Sequence, residues 1–121
     1  MAIKSFRDLR VWQAAMDLVV EVYELTAQLP KSEEFGLKSQ MRRAVISVPS
    51  NIAEGHTREH TGEYLHHLSI ATGSLGELVT QSECCVRLQY LLRERVDPAL
   101  ARMASLAKQL YALRNSLQRA A

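Results

Sequence analysis

The stretch QMRRAVISVPSNIAEG, residues 40–55, sets a proline inside a pattern that otherwise predicts an amphipathic helix. At 100° per residue, one face of such a helix has polar side chains and the neighbouring face has apolar ones. The polar face consists of Gln40, Arg43, Ser47, Ser50, Asn51 and Glu54, and the apolar face of Leu37, Met41, Ala44, Val48 and Ile52. We therefore expect a helix that is buried on one side and kinked at Pro49.

Pro49 lacks an amide donor and clashes with the carbonyl four residues earlier, which costs about 3 kcal/mol in an isolated helix. Ser47, Ser50 and Asn51 flank it, and short polar side chains can hydrogen-bond freed backbone groups or bend a helix. Two interpretations stay open. Either these four residues only shape the packing, or they contribute to a ligand or nucleic-acid site.

Hydrophobic periodicity predicts three further helices, which makes the chain all-α. The expected ranges are about 6–28, 33–54, 62–89 and 97–119, in one domain of 121 residues. Four helices joined by short links favour an antiparallel up-down-up-down four-helix bundle. A content of only 6% aromatic residues, beside many Ala, Leu and Val, favours helices over sheet.

Capping residues set the expected boundaries of the first three helices. Ser5 and Ser32 are the N-cap candidates of the first two, and Thr61 is that of the third. Gly55 suits the position just after the second helix, and a polar link over residues 56–62 would follow it.

The third and fourth helices have features of their own. Gly73 and Gly76 lie in the middle of helix three, where each costs up to about 1 kcal/mol relative to alanine, so we expect them to allow close approach of another helix. Helix four can begin at Asp97-Pro98 or earlier, near Arg93, and both starts stay open.

The first helix has two apolar stripes rather than one, about 110° apart. One stripe can fill the core of a single bundle, whereas the second needs a partner of its own. The sequence therefore predicts association with further copies of the chain. The stripes are Leu9, Trp12, Met16, Val19 and Tyr23, and Val11, Ala15, Leu18, Val22 and Leu25.

Three consecutive segments show a family pattern: LRVWQAAMDLVVEVYELTAQLPKSEEFGL (9–37), RRAVISVPSNIAEG (42–55) and YLHHLSIATGSLGEL (64–78). Together they resemble the bacterial four-helix bundle family encoded in intervening sequences of 23S ribosomal RNA genes. A related branch, the accessory variability proteins of diversity-generating retroelements, is similar in pattern. The resemblance implies a ring-shaped homopentamer, and its second branch implies binding of nucleic acid and of a reverse transcriptase.

The net charge is small, because 15 basic and 13 acidic residues give +2. Its distribution is uneven: the first helix has Asp17, Glu21 and Glu24, whereas residues 98–121 have four cations and no acid. The acidic stripe is either a solvated face or a partner for basic groups of a neighbouring subunit.

Seven basic residues are the candidate phosphate contacts: Arg42, Arg43, Arg58, Arg102, Lys108, Arg114 and Arg119. Each phosphate that such a residue neutralises adds salt-dependent affinity. The basic residues of helix four fall at several angles around its axis, so one chain alone should bind nucleic acid weakly. In a ring the same charges are repeated and act together. The alternative is that these charges are solvated or lie in subunit interfaces.

His56 and His60 are four residues apart, but they lack the flanking pattern of a zinc-binding HExxH helix, so we expect no metal site. No catalytic triad, phosphate loop or paired carboxylate site can be identified. The run GSLG at 73–76 has the wrong spacing for a nucleophilic serine. We therefore expect no enzyme activity, no cofactor and no small-molecule substrate.

Cys84 and Cys85 are adjacent, which suits reduced thiols in a cytoplasm better than a disulfide framework. The N-terminus shows no apolar signal core, and no apolar run approaches the ~20 residues of a membrane span. We expect a cytoplasmic, non-enzymatic ring of bundles that binds RNA or DNA without strong sequence preference. The alternative is a protein-interaction scaffold, for instance for a reverse transcriptase, that does not bind nucleic acid directly.

Overall fold

The computed structural model describes residues 4–120, which form four α-helices and no β-strand. This confirms the prediction of an all-α chain with four helices. Short 3-10 turns at Phe6–Asp8 and Lys31–Glu33 precede the first two helices. Within the described residues, no helix is both long and apolar enough to cross a bilayer. The helices are α1 (Arg10–Thr26), α2 (Leu37–Thr57), α3 (Thr61–Arg87) and α4 (Arg93–Ala120).

The four helices pack in a closed cycle. Consecutive helices contact one another, and α4 returns to contact α1. Contacts join residues near the end of one helix to residues near the beginning of its neighbour, so neighbouring helices run antiparallel, as the short links predicted. Three such contacts are Arg42 with Tyr23, Cys85 with Met41, and Arg93 with Glu83.

The core is built from the apolar stripes of the four helices. Burying each of the larger side chains contributes about 1.5–3 kcal/mol relative to exposure, and this burial is the main force that holds the cycle together. Pro49 is among the buried residues, and α2 continues through it as one helix. The buried side chains include Val11, Ala15, Leu18, Val22 and Leu25 of α1, Met41, Val45, Val48 and Ile52 of α2, Leu68, Ala71, Leu75, Leu78 and Cys85 of α3, and Val96, Met103, Leu106 and Leu110 of α4.

The other predicted stripe of α1 is only partly covered by the bundle. Leu9, Trp12 and Val19 pack against the core, whereas Met16 and Tyr23 are 40% and 37% exposed. One chain therefore leaves part of this stripe in water.

The first two helices begin later than predicted. Ser5 caps the 3-10 turn at Phe6–Asp8, and α1 begins only at Arg10, because Leu9 has an extended backbone. Ser32 lies within the second 3-10 turn and does not cap α2. The side chain that does so is Glu33, whose Oε1 accepts a hydrogen bond from the Leu37 amide at 2.9 Å. A carboxylate at this position also suits the positive end of the helix dipole.

Gly55 does not end α2, and the prediction that it does is wrong. The helix continues to Thr57, so the link to α3 shortens to residues 58–60. Gly55 is buried, and a Cβ placed on it would lie 2.9 Å from both His67 Cβ and Tyr64 Cδ1. Its missing side chain thus lets the end of α2 lie directly against the beginning of α3.

The later boundaries also differ from the sequence prediction. Thr61 is the first residue of α3, and His60 occupies the N-cap position without a side-chain cap. The earlier start of α4 is correct: the helix begins at Arg93, and Pro98 lies inside it. Arg93 donates two hydrogen bonds of 2.9 Å to the Glu83 carboxylate, which ties this start to α3 and lowers the pKa of Glu83.

Gly73 and Gly76 do not allow close helix approach within the bundle. No atom lies within 4 Å of the position that a Cβ on either residue would occupy. Both glycines are on the outer side of α3. The close approach that the sequence analysis assigned to them occurs at Gly55 instead.

Replacing Gly55 with alanine should destabilise the protein by about 1–3 kcal/mol, because the new methyl group would overlap His67 and Tyr64. A glycine-to-alanine change in a helix ordinarily stabilises, so the sign of this effect is diagnostic. The free energy of unfolding, measured by urea denaturation, provides the test.

The matched control is Gly73→Ala, which meets open space and should stabilise by about 0.5–1 kcal/mol. If both variants gain stability, Gly55 has no packing role.

Acid should weaken the cap of α2. The pKa of Glu33 is lowered from 4.5 by the hydrogen bond from the Leu37 amide and by a second from the Tyr90 hydroxyl. A lowered folded-state pKa adds stability above the unfolded pKa, and this stability is lost as the pH falls through the folded value. Glu33→Gln should therefore be less stable than wild type at neutral pH, by a margin that shrinks below pH 4.5.

Thermal unfolding midpoints over a pH series measure that margin. Glu59→Gln removes an exposed carboxylate that accepts no hydrogen bond within residues 4–120, and it serves as the control. A pH-independent margin for Glu33→Gln would contradict the assignment of Glu33 as the cap.

Candidate nucleic-acid interface

A row of polar side chains runs along the contact between α2 and α3. Both helices supply them at seven-residue spacing, and because the helices are antiparallel, the two series meet as pairs. We call these six residues the polar seam. Its pairs are Gln40 with Gln81, Ser47 with Ser74, and Glu54 with His67.

The middle pair of the polar seam is joined directly. Ser74 is 7% exposed, and its hydroxyl lies 2.8 Å from that of Ser47. Asn51, one turn further along α2, donates from Nδ2 to the Ser47 hydroxyl at 3.0 Å and to the Ser47 carbonyl at 2.9 Å. These hydrogen bonds keep three polar side chains paired beside the apolar core, where an unpaired group would be costly.

The pair formed by Glu54 and His67 is joined through neighbours. Since the Asn51 amide nitrogen is used on Ser47, its Oδ1 faces His67 Nδ1 at 3.0 Å, and this nitrogen must hold the proton and donate. His67 Nε2 lies 3.7 Å from Glu54 Oε2, which is too long for a hydrogen bond. The pKa of Glu54 is lowered by its hydrogen bond from Arg58 and by the charge of His67.

The pair Gln40 and Gln81 lies at an open groove of about 370 Å³. Arg43 of α2 and Glu77 of α3 line the same groove, and both are exposed. The Gln81 Oε1 atom is enclosed and has no hydrogen-bond partner within residues 4–120. Gln40 and Gln81 thus form the only pair of the three whose side chains make no hydrogen bond within residues 4–120.

The four residues predicted around the proline separate into different environments. Ser47 and Asn51 belong to the hydrogen-bonded network with α3. Pro49 is buried in the core, and Ser50 is exposed. Pro49 therefore shapes the packing, while two of its neighbours line a polar surface.

Arg42, a predicted phosphate contact, instead closes the end of α1. Its Nε donates to Thr26 Oγ1 at 2.9 Å, and its Nη2 donates to the Tyr23 carbonyl at 3.1 Å. The guanidinium also lies 4.2 Å from the centre of the Tyr23 ring, in cation–π geometry. The Tyr23 carbonyl also accepts from the Ala27 amide at 3.1 Å, so Arg42 adds a further donor there and ties the beginning of α2 to the last turn of α1.

Two further predicted contacts are paired with acids of the same chain. Arg58 donates to Glu54 at 2.6 Å, four residues away on the same side of the chain. Arg102 Nε lies 3.2 Å from Glu21 Oε1, between α4 and α1. Exposed pairs of this kind contribute little to stability, but each neutralises a charge that would otherwise attract phosphate.

The remaining four predicted contacts lie apart from one another. Arg114 follows buried Leu110 by four residues, and its Nε is enclosed without a partner among residues 4–120. Lys108 and Arg119 are exposed and eleven residues apart on α4, which places them on one side of that helix. Arg43 borders the groove between α2 and α3. The structure thus does not gather the seven cations of one chain into a single surface.

The histidines considered as metal ligands have other surroundings. His56 lies inside α2 and packs edge-on against the Tyr64 ring, 5.8 Å between centres. His60 is the N-cap residue of α3. The described residues contain no group of three or more His, Cys, Asp or Glu side chains that could hold a metal ion.

Sequence analysis missed the α3 half of the polar seam, which is His67, Ser74 and Gln81. A usable pattern was present, because these residues recur every seven positions, as do Gln40, Ser47 and Glu54 of α2. Matching the two series in antiparallel order would have predicted all three pairs.

Comparison with known proteins agrees with the fold. The sequence model described as 23S rRNA-intervening sequence protein matches residues 7–112. A search of curated proteins found no match. Among solved structures, this chain is similar to a protein of unknown function from the S23 ribosomal protein family of Bacteroides thetaiotaomicron VPI-5482, with 22% identity and a TM-score of 0.80. That match covers 86% of this chain and 97% of the other.

An identity of 22% shows a shared fold and no more. The family match, in contrast, spans most of the sequence, from the turn before α1 to the middle of α4. The protein therefore belongs to the 23S rRNA-intervening sequence protein family.

Proposed function

We propose that this protein acts without catalysis, as a self-associating four-helix bundle that binds RNA or DNA through cations repeated around a ring. The family resemblance implies five subunits. The observation that supports nucleic-acid binding best is the charge of α4, which from Pro98 to Ala120 has four cations and no acid, and of these Lys108 and Arg119 are exposed. Phosphates approaching this part of the helix meet no neighbouring carboxylate on it, and each phosphate that is bound releases counterions. The two free thiols suit the reducing cytoplasm in which we place the protein.

Self-association is supported by an apolar strip on the outer face of α1 and α2. The strip consists of Met16, Val20 and Tyr23 of α1, Phe35 of the link, and Ile46 of α2. Phe35 is 95% exposed and Val20 is 59% exposed. Contiguous apolar surface of this kind in a small protein marks an interaction site.

A second copy of the chain is the occupant that the charges around the apolar strip favour. Asp17 and Glu24 border the strip on the α1 side, whereas Arg43 borders it on the α2 side, where Lys38 is already paired with Glu34 at 3.1 Å. The acidic border of one copy can therefore meet the basic border of a neighbour, which sets their relative register. In such an assembly Lys108 and Arg119 of each chain are repeated, and the weak binding of nucleic acid by one chain is multiplied.

A second candidate function is a protein-interaction scaffold, with a reverse transcriptase as one partner. The observation that favours it is the engagement of Arg42, Arg58 and Arg102 within the chain. Those interactions leave fewer free cations per chain than the sequence suggested. In this alternative the apolar strip, rather than α4, is the functional surface.

Removing both exposed cations of α4, as Lys108→Gln with Arg119→Gln, should weaken binding to RNA and DNA alike. The slope of log affinity against log salt should fall by about 0.7–0.9 for each phosphate that the variant no longer neutralises. Fluorescence anisotropy of labelled RNA and DNA over a salt series measures both quantities.

The matched control is Arg95→Gln, because Arg95 lies beside Glu21, Glu24 and Glu94 and should be masked from phosphate. Wild-type protein that binds neither polymer at low salt, or binds without a salt slope, would eliminate the nucleic-acid function and leave the scaffold.

Placing a charge and a hydroxyl in the apolar strip, as Val20→Glu with Phe35→Ser, should dissociate the assembly. Both side chains are exposed in the single chain, so the helical content should not change. Multi-angle light scattering should then give the 13.6 kDa mass of one chain, against a multiple of it for wild type.

Tyr111→Ser is the control, since Tyr111 is 59% exposed on α4, away from the apolar strip. A wild-type protein of single-chain mass, or a double variant that associates as wild type does, would refute self-association through this face.

A further inference from the structure

The apolar strip contains both a projecting side chain and an open recess. Phe35, in the link between α1 and α2, is 95% exposed, so nearly all of its ring faces solvent. The recess lies on α1 and has a volume of about 500 Å³. A cavity of about 150 Å³ is enough to hold a benzene ring, so a phenylalanine side chain fits here. The recess is lined by Val19, Val20, Tyr23, Glu24 and Ala27.

Tyr23 separates Phe35 from the recess of its own chain. Phe35 lines a different groove, together with Ile46, on the α2 side of Tyr23. The recess, in contrast, is formed by α1 residues alone. Aromatic side chains are enriched where proteins contact one another, and a projecting ring is the shape that such a recess accepts. The occupant that the strip itself supplies is therefore the Phe35 ring of a second copy.

The charges beside the two parts have opposite signs. Asp17 is exposed three residues before Val20, on the recess side, whereas Arg43 is exposed on α2, beyond Phe35. Six residues separate Asp17 from Tyr23, and six separate Arg43 from Leu37 at the start of α2, which is about 9 Å along the axis in each case. A ring seated beside Tyr23 thus brings Arg43 of its own chain level with Asp17, if α2 lies antiparallel to the α1 that it meets.

We infer that copies of the chain join head to tail, with Phe35 of one copy in the α1 recess of the next and Arg43 of the first beside Asp17 of the second. Each chain then uses its ring on one neighbour and its recess on the other. A contact between two different surfaces does not stop at two chains but continues to a closed ring or an open filament. This inference rests on the proposed self-association and adds to it which parts of the strip meet.

The test mixes two variants that each lack one half of the contact. Phe35→Ser keeps the recess and loses the ring, whereas Val20→Glu keeps the ring and places a carboxylate in the recess. By light scattering, each variant alone should have the 13.6 kDa mass of one chain. An equimolar mixture should give complexes of two chains and none larger, because only one intact contact can form. Wild type at the same concentration should exceed the mass of two chains.

The matched control mixes Val20→Glu with the variant that has both substitutions. The double variant has neither the ring nor an apolar recess, so this mixture should stay at the mass of one chain. Val20 and Phe35 are both exposed in the single chain, and circular dichroism should therefore give the same helical content for all three variants. Failure to fold is thereby separated from failure to associate.

Reversing charges tests the register of the contact. Asp17→Arg alone and Arg43→Asp alone should each lower the assembled mass at a fixed concentration, because each places like charges opposite one another. The two substitutions in one chain should restore the wild-type mass, since every contact between copies then has a reversed pair. Added salt should weaken the effect of each single reversal.

The possible failures are distinguishable. Wild type with the mass of one chain would remove both the proposed self-association and this contact. Wild type with the mass of two chains would leave self-association in place but exclude a head-to-tail contact. Larger wild-type assemblies would overturn the inference alone if the mixture of Phe35→Ser with Val20→Glu gave no two-chain complex, or if the double charge reversal failed to restore the mass.

Discussion

The antiparallel contact between α2 and α3 is the constraint on which the rest of the molecule depends. Gly55 allows one end of α2 to touch α3, and the polar seam specifies which residues lie opposite each other. A shift of one helical turn would separate Ser47 from Ser74 and place a Cβ-bearing residue against Tyr64. Each broken hydrogen bond would leave a partly buried polar group unpaired, at about 1–3 kcal/mol. Polar groups at a helix contact thus select one register, where apolar packing alone would tolerate several.

The position of α2 against α3 determines which side of α2 contacts α1 and which apolar side chains stay uncovered. With its polar seam turned to α3, α2 presents Arg42 to the end of α1 and closes that helix. The remaining apolar strip, which includes Val20 and Phe35, has no cover within residues 4–120. Of the α4 cations, Arg102 meets Glu21 of α1, at the α1–α4 contact and not at the α2–α3 contact.

The sequence correctly predicted the features that depend on hydrophobic periodicity. It failed where contacts between residues distant in sequence determine a helix boundary or a packing role. The apolar stripes were correct, since a period of 3.6 determines which side chains can be buried together. Gly55 and Ser32 were misassigned because contacts elsewhere outweighed their local capping preferences. Gly55 stays inside α2, where its missing side chain makes room for Tyr64. Ser32 is replaced as the cap of α2 by Glu33, whose carboxylate accepts a hydrogen bond from the Leu37 amide. Close helix approach was predicted at Gly73 and Gly76, but within the bundle no atom lies within 4 Å of a Cβ placed on either residue. A glycine in a helix does not by itself indicate what packs against it.

For the candidate site, the sequence could supply the cations but not their partners. Arg42 meets Thr26 and Tyr23, sixteen and nineteen residues away, and no local pattern indicates that pairing. The polar seam was in principle predictable from its seven-residue spacing on two antiparallel helices. What the sequence does not indicate is that Gln81 would be enclosed without a partner, because that depends on the depth of the groove.

Native-state hydrogen exchange, followed by NMR, tests the central claim about α2 and α3 most directly. If their contact organises the bundle, the amides flanking Ser47 and Ser74 should be the most protected in the protein and should exchange only by global unfolding. The proline in α2 should not create a weak point there. If the slowest amides instead lie in α1 and α4, while those of α2 around Pro49 exchange by local opening, the account is contradicted.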